Sequence, residues 1–238
     1  MMTLLLFGFL IGMRHALEAD HVAAVASLTT KTNSLRNAIR QGAVWGLGHT
    51  LTLFIVGTFV LMIDSLIPEQ VANMLEFLVG IMLVILGFDV LRRLYKERVH
   101  FHLHEHQNGK THFHAHSHKN ETVHNPNVHE HKHPNKFPFR ALFVGLIHGL
   151  AGSAALLLLT LDTVPSIATG ILYIALFGLG SVFGMAILSV IIAIPLRYSA
   201  KKLTWLHHSL QGAIGIATII VGGLLIHEVG IIQKFLMS

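Results

Sequence analysis

The chain has 238 residues, 53% of them apolar and only 12% charged, with a mean hydropathy of +0.62. A soluble domain carries about 25% charged residues, so this is the composition of a membrane protein; the absence of cysteine excludes disulfides, Fe–S clusters, thiolate metal sites and dithiol electron carriers. The formal net charge of +5 does not point to nucleic acid, because the bases sit in short loops beside apolar blocks, where the positive-inside rule puts them.

Six spans are expected, near 3–28, 41–63, 71–94, 139–161, 166–195 and 208–232, each close to the roughly 20 residues that a bilayer crossing needs. The first lacks a basic leader and runs on past His15, so it reads as a retained span and not a signal peptide. Within it lies Arg14-His15-Ala-Leu-Glu18-Ala-Asp20-His21. Each charge near a bilayer centre costs about 2.5–3.5 kcal/mol, which implies that these groups are used. Arg14 and Glu18 are four apart and can pair in a helix. His15, Glu18 and His21 share one helical face, with Asp20 farther round. In a regular helix the two histidines stand about 9 Å apart along the axis, so both reach one ion only if the helix bends or breaks, or if other spans complete the shell.

The second span carries His49 in Gly48-His49-Thr50, and the third carries Asp89 near its end. Residues 96–137 then interrupt the apolar pattern with a histidine run, His100, His102, His104, His106, His112, His114, His116, His118, His124, His129, His131 and His133. The segment is expected to be disordered without ligand. Its every-second-residue spacing places imidazoles on one side of an extended chain, a multi-site store for divalent ions that weakens below about pH 6 as imidazole protonates. The fourth span holds His148 between glycines; Pro68, Pro138, Pro165 and Pro195 fall near expected span ends; His207, His208, His227 and Glu228 lie near span ends and read as interfacial.

Loop charges alternate. Lys31, Arg36 and Arg40, then Arg92, Arg93, Lys96 and Arg98, then Arg197, Lys201 and Lys202 fill loops one, three and five, whereas loops two and four hold only acids. The expected topology therefore has both termini outside the inner membrane and the histidine loop in the cytoplasm. The halves also echo each other. Gly12-Met-Arg-His15-Ala-Leu17 matches Gly145-Leu-Ile-His148-Gly-Leu150, Ala43-Val-Trp-Gly-Leu-Gly48 matches Ala175-Leu-Phe-Gly-Leu-Gly180, and Gly80/Gly87 matches Gly215/Gly222. An odd number of spans per half inverts the second copy, the plan of many secondary transporters. The expected fold is an all-α polytopic membrane protein with six transmembrane helices in a 3+3 inverted repeat: repeat one over 1–95, the histidine-rich cytoplasmic loop over 96–137, and repeat two over 138–238.

The candidate metal ligands are His15, Glu18, Asp20, His21, His49, Asp89 and His148. Imidazole with some carboxylate suits nickel, cobalt, zinc or copper(II), whereas calcium and magnesium call for oxygen ligands. The His15-x4-Asp20-His21 signature, Leu47-Gly-His49-Thr50, Leu86-Gly-Phe-Asp89 and the segment Gly145 to Ser153 resemble the nickel/cobalt transporter (NiCoT/NicO) superfamily, the last looking like its urease-associated UreH-type branch. The resemblance implies permeation of Ni2+ or Co2+, with His15, Asp20 and His21 essential and His49 contributing. It departs from larger members in having Glu18 where they have aspartate, and it is thin over the last two spans.

The expected activity is uptake of Ni2+ or Co2+ as substrate, without a prosthetic group. The ion passes from His15, Asp20 and His21 by His49 and His148 to the loop. Efflux of Ni2+, Co2+ or Zn2+ is the alternative, with Glu18 or Asp20 carrying a coupled proton. A membrane metalloenzyme is the competing class, and the chain lacks HExxH. A metal sensor or store is a third. Expected partners are the metal ion and the lipid bilayer; a homo-oligomer or a cytoplasmic metal acceptor stays open.

Overall fold

The computed structural model describes residues 2–32, 34–63, 68–96, 100–105, 111–116, 137–161 and 166–236. In chain order the elements are α1 (Met2–His15), α2 (Ala19–Thr29), α3 (Leu35–Ile63), α4 (Glu69–Lys96), β1 (His100–Glu105), β2 (Thr111–His116), α5 (Phe139–Leu161), α6 (Ile167–Lys202) and α7 (Thr204–Leu236). Among the described residues four helices, α3, α4, α6 and α7, are long and apolar enough to cross a membrane. Their outward positions include Ile55, Phe59, Ile85, Phe88, Phe183, Ile191, Ile220 and Leu224, all exposed. So much bare apolar surface is stable only against lipid.

Where the first span was expected, the chain forms two helices. The amides of Leu17 and Glu18 turn back to the carbonyls of Arg14 and His15, three residues earlier, at 2.9 and 3.1 Å. This tight closure ends α1. Glu18 is extended (φ −63°, ψ 149°), and its carbonyl accepts the first bond of α2, from Val22 N–H at 2.9 Å. Neither proline nor glycine occupies residues 16–18, so backbone propensity does not encode the break. What it achieves is the placement of His15 and Asp20 described below.

Glycines set the helix spacing, because their missing Cβ lets backbones touch. A Cβ on Gly12 of α1 would run into the Phe177 carbonyl of α6, and one on Gly145 of α5 would run into the Trp45 carbonyl of α3. Gly180 is likewise filled by Phe9 and Met13, and Gly48 by Leu142 and Leu146. On the other side of the bundle Gly80 faces Gly222 and Gly87 faces Gly215, holding α4 on α7. Hydroxyls tie the same seams: Thr50 Oγ1 donates to Gly178 O at 3.0 Å and Ser181 Oγ to Gly12 O at 3.2 Å.

Two details differ from expectation. Helix α6 runs through Pro195 to Lys202 instead of stopping there; a proline removes one backbone donor, and tolerance of this inside membrane helices is common. The histidine loop, expected to be disordered, contains an antiparallel β1–β2 pair whose register sets His100 opposite His116, His102 opposite His114 and His104 opposite His112. The reason lies in the period of two, which alternates histidine with Phe101, Leu103, Phe113 and Ala115. His106, His118, His124, His129, His131 and His133 lie outside the described residues.

Candidate metal centre

His15, at the C-terminus of α1, and His21, in the first turns of α2, are brought together by the break. Their ring centroids are 4.2 Å apart, against the roughly 9 Å of axial rise that one continuous helix would impose. His49 of α3 and His148 of α5 complete the group. His21 and His148 rings lie 4.3 Å apart, His21 and His49 5.0 Å, and His15 and His49 5.3 Å. None of the four imidazoles exceeds 2% exposure, so water does not compete for their lone pairs.

Carboxylates fix the tautomers. Asp20 Oδ1 accepts from His21 Nδ1–H at 2.9 Å and from the His21 backbone N–H at 2.8 Å. Asp20 Oδ2 accepts from His148 Nε2–H at 2.9 Å. A carboxylate can only accept, so the protons sit on His21 Nδ1 and His148 Nε2. The lone pairs are therefore on His21 Nε2 and His148 Nδ1, and neither atom has a hydrogen-bond partner among the described residues. Glu18 Oε1 lies 2.9 Å from His15 Nδ1, a close contact that lacks hydrogen-bond geometry. His15 Nε2 and His49 Nε2 share a hydrogen bond at 3.3 Å. Two nitrogens each about 2.1 Å from one ion lie about 3.0–3.4 Å apart when adjacent in octahedral or tetrahedral geometry, so this spacing already suits a shared metal.

Two triads of ligand atoms, each within 4.8 Å, result: His15, His21 and His49, all buried, and Asp20, His21 and His148. His21 belongs to both. The C-terminal end of α1 directs its partial negative charge at the break, which favours a cation there. A cavity of about 520 Å³, lined by Ile11, Arg14, His15, Leu17 and Glu18, opens onto the same break. Glu18 stands at its edge with a side chain 53% exposed.

The expected pairing of Arg14 with Glu18 is not made; Glu18 contacts His15 instead, because the break removes the helical register that the pairing needed. Asp89 is not in the histidine cluster. It sits near the end of α4, where its Oδ2 meets Lys31 Nζ at 3.3 Å, Arg93 Nε at 3.6 Å and Arg140 Nη1 at 2.6 Å. Sequence reasoning missed Trp45, fully buried with its ring 5.5 Å from His21 and 5.4 Å from His148. The signal was its place in the repeated Ala-x-aromatic-Gly-Leu-Gly segment.

A family model described as NicO, high-affinity nickel-transport protein, matches residues 1–235. The chain belongs to the NicO family. It is thus a membrane permease for divalent transition metal and not an enzyme, with nickel the family's substrate. Among curated relatives, this NicO chain is 35% identical to the urease accessory protein UreH of Bacillus sp. (strain TB-90) over 234 residues, 98% of the chain and 94% of that protein. It is 26% identical over 188 residues to a "putative nickel/cobalt efflux system" of Methanocaldococcus jannaschii, covering 76% of the chain and 72% of that protein. It is also 26% identical over 223 residues to the chloroplast protein FOR GROWTH AND FERTILITY 2 of Arabidopsis thaliana, covering 90% of the chain and 55% of that protein. No solved structure matches significantly.

Proposed function

We propose that this NicO protein imports Ni2+, with Co2+ as the nearest competitor, by binding it in the buried triad of His15, His21 and His49. One observation carries the reading: imidazoles of His15, His21 and His49, each with a ring nitrogen that lacks a hydrogen-bond partner among the described residues, converge in a buried site at the break of a helix. Asp20 holds His21 and His148 in the ligating tautomer, an outer-shell role that tunes metal affinity. Glu18 gathers ions from the cavity at the break. Asp89 takes no part in ligation.

The spans number six in this reading, with α1 and α2 forming one interrupted crossing and the 23 residues of α5 another. They form a 3+3 inverted repeat. The glycine seams support this, since each has a counterpart when the halves are exchanged: Gly12 on Phe177 with Gly145 on Trp45, and Gly80 on Gly222 with Gly215 on Gly87. Clustering of Lys31, Arg93 and Arg140 at one end supports placing that end, and the β1–β2 loop, in the cytoplasm. A dication entering at −100 mV gains about 4.6 kcal/mol, roughly a thousandfold accumulation, so import needs no ATP. The loop then receives the ion.

The test is 63Ni2+ entry into proteoliposomes of defined orientation with an inside-negative potential. Saturable entry that His15→Ala abolishes supports import through the cluster. Entry that follows an imposed proton gradient outward, and ignores the potential, would replace import by efflux. A retained ion with no flux in either direction would defeat both.

A further inference from the structure

At the end of the bundle where Lys31 and Arg93 lie is a second cavity, of about 500 Å³, whose lining includes none of His15, His21, His49 and His148. Four elements wall it. The α2–α3 turn supplies Thr30 and Lys31, α4 supplies Arg93, the end of α6 supplies Arg197, and the first turns of α7 supply His207 and Gln211. Three fixed cations line one concavity, and no carboxylate is among its lining residues.

The adjacent carboxylate, Asp89, is already shared by Lys31, Arg93 and Arg140, and among the described residues none pairs with Arg197. Lys31, Arg93 and Arg140 thus converge on Asp89, and Arg197 adds a further cation to the lining of the cavity. Lys31 registers the crowding: burial first, then Arg140 and Arg93, push its amine below the ordinary lysine range. The walls are braced. Arg93 Nη2 donates to Thr30 Oγ1 at 3.3 Å. Gln211 Nε2 donates to His207 Nε2 at 3.1 Å while His207 Nδ1–H donates to Leu196 O at 3.0 Å.

A braced, concave, net-positive site between helices repels a dication and attracts an anion. Its volume lies within the range of about 300–1,000 Å³ usual for ligand pockets. Guanidinium forks match phosphoryl oxygens, and basic pockets between membrane helices take anionic headgroups. We propose that this cavity binds a phosphoryl anion, held by Lys31, Arg93 and Arg197, at a site separate from the metal path. The phosphoryl group comes either from an acidic phospholipid or from free phosphate.

The experiment uses the full chain in two arms. Native mass spectrometry follows phosphatidylglycerol retained through detergent exchange, and 32P-phosphate binding is measured in phosphatidylcholine nanodiscs. Each is repeated on Lys31→Gln/Arg197→Gln, on Lys31→Gln alone and on the charge-conserving Arg197→Lys, with Ni2+ binding confirming that every variant folds. The expected result is one retained lipid, or saturable phosphate binding, weakened about tenfold or more by the double neutralisation and largely kept by Arg197→Lys. Lipid retention alone assigns the headgroup; phosphate saturation without lipid assigns the free anion. Retention of neither, or equal retention by the native and neutralised proteins, overturns the proposal.

Discussion

Replacing Asp20 by asparagine tests the tautomer argument with almost no change in shape. The side-chain oxygen must stay toward the His21 backbone N–H and Nδ1–H, which Oδ1 accepts at 2.8 and 2.9 Å. The new amide NH2 then faces His148 Nε2–H at the 2.9 Å now spanned by Oδ2. Two donors cannot share that distance, so His148 moves its proton to Nδ1 and loses the lone pair that is now unused. Loss of an outer-shell carboxylate costs about 10–100-fold in metal affinity, which is about 1.4–2.7 kcal/mol at 1.4 kcal/mol per decade. Equilibrium dialysis of 63Ni2+ with the purified variant reads this directly, and 15N spectra of labelled histidine report the tautomer of His148. Affinity within twofold of native, with His148 still protonated at Nε2, would refute the reasoning.

Four further outcomes are expected. His49→Ala should abolish high-affinity Ni2+ binding while the helical circular dichroism is kept, because the lost nitrogen lies 3.3 Å from His15 Nε2. Gly145→Val drives a Cβ into the Trp45 carbonyl; overpacking of this kind costs about 1–3 kcal/mol, and displacement of α5 should lower Ni2+ affinity together with the melting temperature in detergent. Asp89→Asn should leave Ni2+ affinity unchanged, since the carboxylate lies among Lys31, Arg93 and Arg140; partly exposed ion pairs contribute about 0–1 kcal/mol each, so only a small fall in melting temperature should follow. Deleting residues 100–116 should keep the initial rate of 63Ni2+ entry but reduce metal held by the protein at pH 7.5, and the difference should vanish below about pH 6, where free imidazole is protonated.

The β1–β2 pair shows how a composition argument and a pattern argument can diverge. Counting polar residues in 96–137 predicts no structure, whereas the alternation of His100, His102 and His104 with Phe101 and Leu103 is a strand pattern that registers His with His across the pair. Arg14 and Glu18 make the converse point. Their helical spacing was correct arithmetic on a helix that stops at His15.

The sequence by itself determined the membrane class, the apolar segments, the repeat signature and the chemistry of the ligands. Those properties reside in local composition and spacing, which a bilayer and a helix read directly. It also singled out His15, Asp20, His21, His49 and His148 as candidates, because ionisable groups inside apolar segments are costly wherever they lie. Only the tertiary structure decided how they act together. The break at residues 16–18 has no proline or glycine to announce it, and it is what brings His15 to 4.2 Å from His21 and places Asp20 between His21 and His148. The same packing takes Asp89 away from the metal candidates and into a cluster of cations. Long-range partners such as Arg140 and Lys31 leave no trace in local spacing, since it is helix packing across more than 100 residues of chain that makes them neighbours.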